Sequence, residues 1–213
     1  MADGARSGRL GRCDWLDLGL AALSEHGPRG LTLETLCARA GRTRGSFYHH
    51  FADMEAFKAA VLDRWVERDA RQIVAEVERS GPDVAARRAR LDTLAMSVDH
   101  HLEVAVRRWA GSDAPAAAAV RRIDRERIAY LGDLYAQEGA GDAHDRATIE
   151  YAAFIGLQHL DVIAAEPDRA HRLAGLAYAA LRTGPVRSRV SRVLSGLLGR
   201  RGRPGPDEPT AGD

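Results

Sequence analysis

Apolar residues return every three or four positions along this chain, and that spacing limits its fold more than any other feature. Leu16, Leu20 and Leu23 set it near the N-terminus, and Phe57, Val61, Leu62 and Trp65 repeat it. Leu91, Leu94, Val98, Leu102, Val106 and Trp109 carry it as one run after Pro82, and Val120, Ile123, Tyr130, Leu131 and Leu134 continue it. A period near 3.6 gathers such residues on one face of an α-helix, and no alternation long enough for a strand interrupts them. The prolines, at 28, 82, 115, 167, 185, 204, 206 and 209, stand near segment starts, where a helix can do without an amide proton. The expected fold is all-α.

At 213 residues, 45% of them hydrophobic, the chain can bury a substantial core. No run of about 18 apolar residues occurs, and the opening "MADGARSGRLGRCDW" lacks the apolar stretch of a signal peptide. The expectation is a soluble, cytoplasmic protein with no membrane partner. Cys13 and Cys37 suit neither a disulfide framework nor a zinc site and are expected as small core residues. The neighbouring histidines His49 and His50, and His100 and His101, lie about 100° apart on a helix and do not suit a shared metal. No metal and no cofactor is expected.

The formal net charge is only +1, and Lys58 is the single lysine among 31 basic residues, so the abundance of arginine reads as compositional bias. Its distribution says more. Residues 1–51 carry seven arginines against five acids, 52–181 are net acidic, and 182–213 carry seven arginines against three acids. Within residues 28–51, four arginines face one acid, a local basic patch of the kind that phosphate attracts.

That patch coincides with a recognisable pattern. Gly27 stops the first helix, and Thr32 is a good N-cap for a second helix reaching Ala40. Gly41 ends it, and a short helix begins at Thr43. Helix, glycine-containing turn and helix within some 20 residues is a helix-turn-helix. At 100° per residue Phe47 and Phe51 point with Leu36 and Ala40 into the core. Gly45 and His49 point away, flanked by Arg44, Ser46 and Tyr48. Such a face offers donors, an aromatic hydroxyl and room for close backbone approach, which suits phosphate and base-edge contacts in a major groove. Periodicity alone favours an ordinary solvated side. His50 borders the core and is expected to be structural or to touch a phosphate.

The stretch "LTLETLCARAGRTRGSFYHHFADMEAFKAAVL", residues 31–62, resembles the N-terminal domain of TetR-type transcriptional regulators. Thr32, Ala40-Gly41, the run Thr43, Gly45, Phe47, Tyr48, His50 and Phe51, and the acids Asp53 and Glu55 carry the likeness, which extends over about residues 10–65. The resemblance implies a DNA-binding domain at 9–69 with its helix-turn-helix at about 32–51. The implied DNA-binding residues are Thr32, Arg42, Thr43, Arg44, Gly45, Ser46, Tyr48, His49 and His50, with Thr32 and Thr43 capping helices near phosphates. Two positions depart from the family pattern: Arg42 replaces a usual valine in the turn, and Met54 stands where a lysine often contacts phosphate.

"SGPD" at 80–83 closes the first unit. The resemblance further implies a C-terminal regulatory and dimerisation domain at 83–182, while the Pro-, Gly- and charge-rich end of 183–213 reads as a mostly disordered tail apart from a short amphipathic stretch at 186–199. Two segments, "DRATIEYAAFIGLQHLDVIAAE" and "DRAHRLAGLAYAALRTG", are rich in small and apolar residues over a wide arc, which suits burial or a homodimer interface. Trp109, Tyr130, Tyr135, Phe154 and His159 are the aromatic candidates for a ligand pocket, although aromatics at helical spacing are more often plain core. The expected function is a dimeric repressor of double-stranded operator DNA, released by a small-molecule effector. An all-α enzyme and a helical adaptor are the alternatives. No His-Glu-x-x-His, Gly-x-Ser-x-Gly or phosphate-binding glycine loop supports an enzyme, and no catalytic residue is assigned.

Overall fold

The computed structural model describes residues 10–182, which form eleven α-helices and no strand. The expectations for 183–213 lie outside the described residues. Helix α1 spans Arg12–His26, and its entry is held by the Gly11 amide donating to Asp14 (2.7 Å). A 3₁₀ turn, Gly27–Gly30, leads to α2 (Leu33–Ala40), where the Thr32 hydroxyl accepts the Thr35 amide proton (3.2 Å). Gly41 turns the chain at φ +58°, in the left-handed region that glycine enters without a Cβ penalty. The short α3 (Arg44–Tyr48) follows, with Thr43 accepting from the Ser46 amide (3.4 Å). Asp53 caps α4 (Met54–Val66) through the Ala56 amide (2.7 Å).

An aromatic cluster fixes these helices. Phe47 packs edge-on against Trp15 (5.5 Å between centroids) and Phe57 (5.2 Å), and Phe51 meets Phe57 at 4.9 Å. Gly19 lets α1 lie close on α4, since a Cβ there would stand 2.7 Å from Phe57 and Val61. Cys13 departs from expectation: it is exposed on the outer side of α1, while Trp15, Leu16 and Gly19 turn inward. Cys37 is half-buried against the core.

Helix α4 continues beyond Val66. It runs through a π-helical turn, Glu67–Arg71, into α5 (Gln72–Glu78). The remaining helices are α6 (Val84–Ala95), α7 (His100–Ala110), α8 (Ala114–Gln137), α9 (Ala143–His159), α10 (Val162–Ala165) and α11 (Pro167–Arg182). Two of them correct the periodic reading. The run from Leu91 to Trp109 is broken between α6 and α7, where Asp99 caps the new helix by accepting from Leu102 (3.0 Å). The segment 145–166 breaks at Asp161, which adopts φ +58°, a conformation aspartate tolerates better than most residues.

Helix α7 packs against α1, and Leu102, Val106 and Trp109 join the same buried cluster as Trp15, Phe57 and Trp65. Ile123 of α8 completes it. The two units expected from the sequence thus share one continuous core.

Candidate nucleic-acid interface and internal cavity

The helix-turn-helix presents one anchored and one open side. Phe47 is fully buried, whereas Tyr48 is 51% exposed, and Thr32, Arg42, Thr43, Arg44, Gly45 and His49 are all exposed. Ser46 is half-buried with its amide committed to the Thr43 cap. A Cβ added at Gly45 would find only Thr43 Oγ1, 3.8 Å away, so nothing inside the protein requires glycine there. Room remains for a partner's backbone.

Charge is divided in the same way. Arg39 is bound to Glu25 through both guanidinium nitrogens, which ties α2 to α1 and holds the Glu25 carboxyl below its ordinary pKa. Arg29 and Arg44 make no ion pair with a carboxylate among the described residues. Arg42 projects from the inter-helix turn. His50 separates from the group: its half-buried ring places Nε2 3.1 Å from the Leu10 carbonyl, so it braces the entry to α1. Met54 is half-buried against the core, which gives this chain no cation at that position.

The second feature is a cavity of about 180 Å³. Its walls come from the π-helical turn and α5 (Asp69, Ala70, Ile73, Val74), α6 (Leu91, Asp92, Ala95, Met96), α8 (Arg127, Tyr130, Leu131), α9 (Glu150, Tyr151, Phe154, Leu157) and α11 (His171, Gly175, Tyr178). The helix that leaves the DNA-binding unit therefore forms part of the wall. Of the five aromatic candidates, Tyr130 and Phe154 line the cavity. Trp109 does not, because its face of α7 packs into the core shared with α1. Tyr135 is fully buried alongside, with its hydroxyl on Glu150 (2.6 Å). His159 is exposed at the end of α9, its Nδ1 3.0 Å from the Ile155 carbonyl.

Sequence reasoning missed Asp92, Arg127, Glu150, Tyr151 and Tyr178. A signal existed for Tyr151, which precedes Phe154 by three residues and so shares its helix face.

Ion pairs surround the cavity. Glu103, 1% exposed, accepts from Arg107 Nε (2.8 Å) and Arg127 Nη1 (3.0 Å). Arg107 also reaches Asp124, whose carboxylate accepts from the Tyr151 hydroxyl (2.7 Å). Burial opposes charge on Arg127, but Glu103 beside it raises its pKa overall. Arg127 donates to the Asp69 carbonyl in the π-helical turn (3.2 Å), joining this network to the helix from the DNA-binding unit. Arg88 binds Glu150 and stacks over the rings of Tyr178 (4.1 Å) and Tyr135 (4.8 Å).

Comparison with known proteins agrees with this geometry. Residues 16–61 match the family described as bacterial regulatory proteins, tetR family. No curated protein matches the sequence. Among solved structures, a transcriptional regulator from a Rhodococcus species is 20% identical, with a TM-score of 0.69 over 80% of this chain and 95% of its own. A regulator from Saccharomonospora viridis, solved in complex with choline, is 15% identical, with a TM-score of 0.66 over 81% and 96%. SmeT, the repressor of the Stenotrophomonas maltophilia efflux pump SmeDEF, is 26% identical, with a TM-score of 0.58 over 80% and 88%. The described residues include no helix long and apolar enough to cross a membrane. Residues 16–61 are thus a tetR-family DNA-binding domain, set within the fold of such transcriptional regulators.

Proposed function

We propose that this regulator is a homodimeric repressor that leaves its operator when a small molecule fills the cavity. The observation that carries the reading is the split of α3, whose buried Phe47 fixes a helix that exposes Arg44, Gly45, Tyr48 and His49. Thr32 and Thr43 sit at the N-termini of α2 and α3, where backbone amides and hydroxyls suit phosphate oxygens. Arg42 supplies a further cation at the turn.

Dimerisation is supported by α9 and α11. Ile149, Ala152 and Gly156 fall on one face of α9, with exposed Leu160 beyond, and Leu176 of α11 is 65% exposed. A Cβ at Gly156 would meet nothing within the chain, so a second helix could approach closely there. Such a dimer would set its two recognition helices about one DNA turn (~34 Å) apart on a palindromic site, in the cytoplasm. Release by a ligand is supported by the cavity's position against the helix from the DNA-binding unit, and a regulator of this fold was solved with choline bound. A ligand favouring one spacing of the recognition helices would shift the population between bound and released forms.

Fluorescence anisotropy with DNA from upstream of the gene tests the reading. Binding at about 50 mM salt should weaken by about 10³-fold or more at about 200 mM if six or more phosphates are neutralised. Absence of binding to any palindromic upstream site at low salt would overturn it.

A further inference from the structure

The ligand class is written in the charge balance of the cavity. Three ion-pair sets border it, and each is matched in charge, with Arg88 Nε and Nη1 left buried without a hydrogen-bond partner. Arg88 is matched by Glu150, Arg68 by Asp69, and Arg107 and Arg127 by Glu103 and Asp124. The tyrosine hydroxyls are spent as well: Tyr130 donates to Glu78 (2.6 Å), Tyr151 to Asp124 (2.7 Å) and Tyr178 to Glu138 (2.6 Å). One charged group is left over. The Asp92 carboxylate forms no hydrogen bond and no ion pair among the described residues. It shares the lining with the Phe154 ring and with Leu91, Met96 and Leu157.

We propose that this cavity takes a lipophilic organic monocation, an ammonium on a ring-sized apolar body, with Asp92 as its counter-ion and Phe154 as its aromatic wall. The inference rests on the reading of the cavity as the effector site. Size agrees, since a cavity of about 150 Å³ is enough for a benzene ring and this one measures about 180 Å³. Chemistry agrees too. A cation gains from an unpaired carboxylate and from an aromatic face, whereas an anion would meet Asp92 and Glu150, and the lining Arg127 is already engaged by Glu103.

Asp92 is exposed, yet the walls beside it remove enough water to push its pKa up to about 6 from the ordinary 3.8. The charged groups facing it are Arg88 on its own helix, which opposes that rise, Glu150 on α9, which adds to it, and His171 on α11. His171 is the one group there that could bring a competing proton; its Nδ1 lies 3.0 Å from the Pro167 carbonyl.

Calorimetric titration with benzyltrimethylammonium, its neutral carbon isostere neopentylbenzene, and benzoate tests the proposal on the full chain. The cation carries a fixed charge, so pH acts only on the protein. Benzyltrimethylammonium should bind, Asp92→Asn should weaken it about tenfold, and the isostere should change by less than about twofold. On the wild-type chain the cation should bind more weakly at pH 5 than at pH 7.5, as the carboxyl takes up its proton, and His171→Ala should leave that difference in place.

Tightest binding by benzoate, which the Arg88 guanidinium would attract, overturns the proposal. So does indifference of the cation to both Asp92→Asn and pH, or binding by none of the three compounds. Operator release, read separately by anisotropy, tells the two readings apart. A cation that binds through Asp92 without releasing DNA overturns the effector reading alone. Release by a neutral or anionic compound with Asp92→Asn unaffected overturns the cation inference alone.

Discussion

The two halves of this molecule use arginine in opposite ways. On the helix-turn-helix, Arg44 faces water without a carboxylate partner among the described residues, so its charge is available to DNA. Around the cavity, Arg88, Arg107 and Arg127 are turned inward and matched by Glu150, Glu103 and Asp124. An exposed charge contributes little to stability and much to association with a polyanion. A buried pair contributes specificity of packing, and becomes costly when one member is lost. Arginine count alone cannot separate these uses, because both halves are rich in it.

The contrast is broken most directly at Glu103, which holds Arg107 and Arg127 together. Glu103→Ala would leave Arg127 without its carboxylate partner inside the protein and Arg107 with Asp124 alone. Thermal or urea unfolding should show a loss of about 3–5 kcal/mol. A loss below about 1 kcal/mol would mean the network relaxes onto Asp124 and water, and that the inward arginines resemble the outward ones after all.

The next test moves to the outer face of α9 and α11. If these helices pair two chains, Leu176→Glu should yield a monomer by light scattering while the far-ultraviolet circular dichroism stays helical. Operator affinity should drop by about 10²-fold or more, since a second half-site is then no longer held at high effective concentration. A dimer that survives the substitution would place the interface elsewhere.

Arg44 supplies the counterpart to Glu103. Arg44→Ala should leave unfolding within about 0.5 kcal/mol of the parent, as expected for an exposed side chain without a partner. Operator binding should lose about 1–3 kcal/mol if the side chain reads a base edge. A uniform loss across all DNA sequences with a shallower salt slope would instead make it a phosphate contact. Tyr48→Ala should behave in the same way, since its ring is half exposed and lies edge-on to Phe47 at 5.5 Å.

The two halves also differ in how far the sequence reveals them. Thr32, Gly41, Thr43 and Asp53 act through their own backbone neighbours, so their caps and turns were legible from residue type and position. The facing of Phe47 and Phe51 followed from helical angles. The cavity was different because its members meet only through tertiary packing: Asp92 and Tyr178 are far apart in the chain, and nothing local says that they share a wall. Aromatic content pointed to Trp109 and His159 as readily as to Tyr130 and Phe154, since a large ring fits a core, a surface or a pocket. The breaks at Asp99 and Asp161 were hidden for a related reason. Apolar spacing persists through both, while a single capping side chain or one left-handed residue redirects the helix.

The smallest expected effect separates fold from function at one atom. Gly45 lies inside α3, where glycine costs a helix roughly 0.5–1 kcal/mol relative to alanine. Its backbone is not in the left-handed region, and an added Cβ would meet only the Thr43 hydroxyl at 3.8 Å. Gly45→Ala should therefore stabilise the chain slightly, by up to about 1 kcal/mol in urea unfolding. If DNA lies against this face, the same methyl group intrudes between backbone and phosphate or base edge, and operator affinity should fall while stability rises. Opposite signs from one substitution are hard to obtain from a solvated helix side. Gain in stability with unchanged affinity would move the contact surface away from Gly45, toward the turn that carries Arg42 and the cap at Thr43.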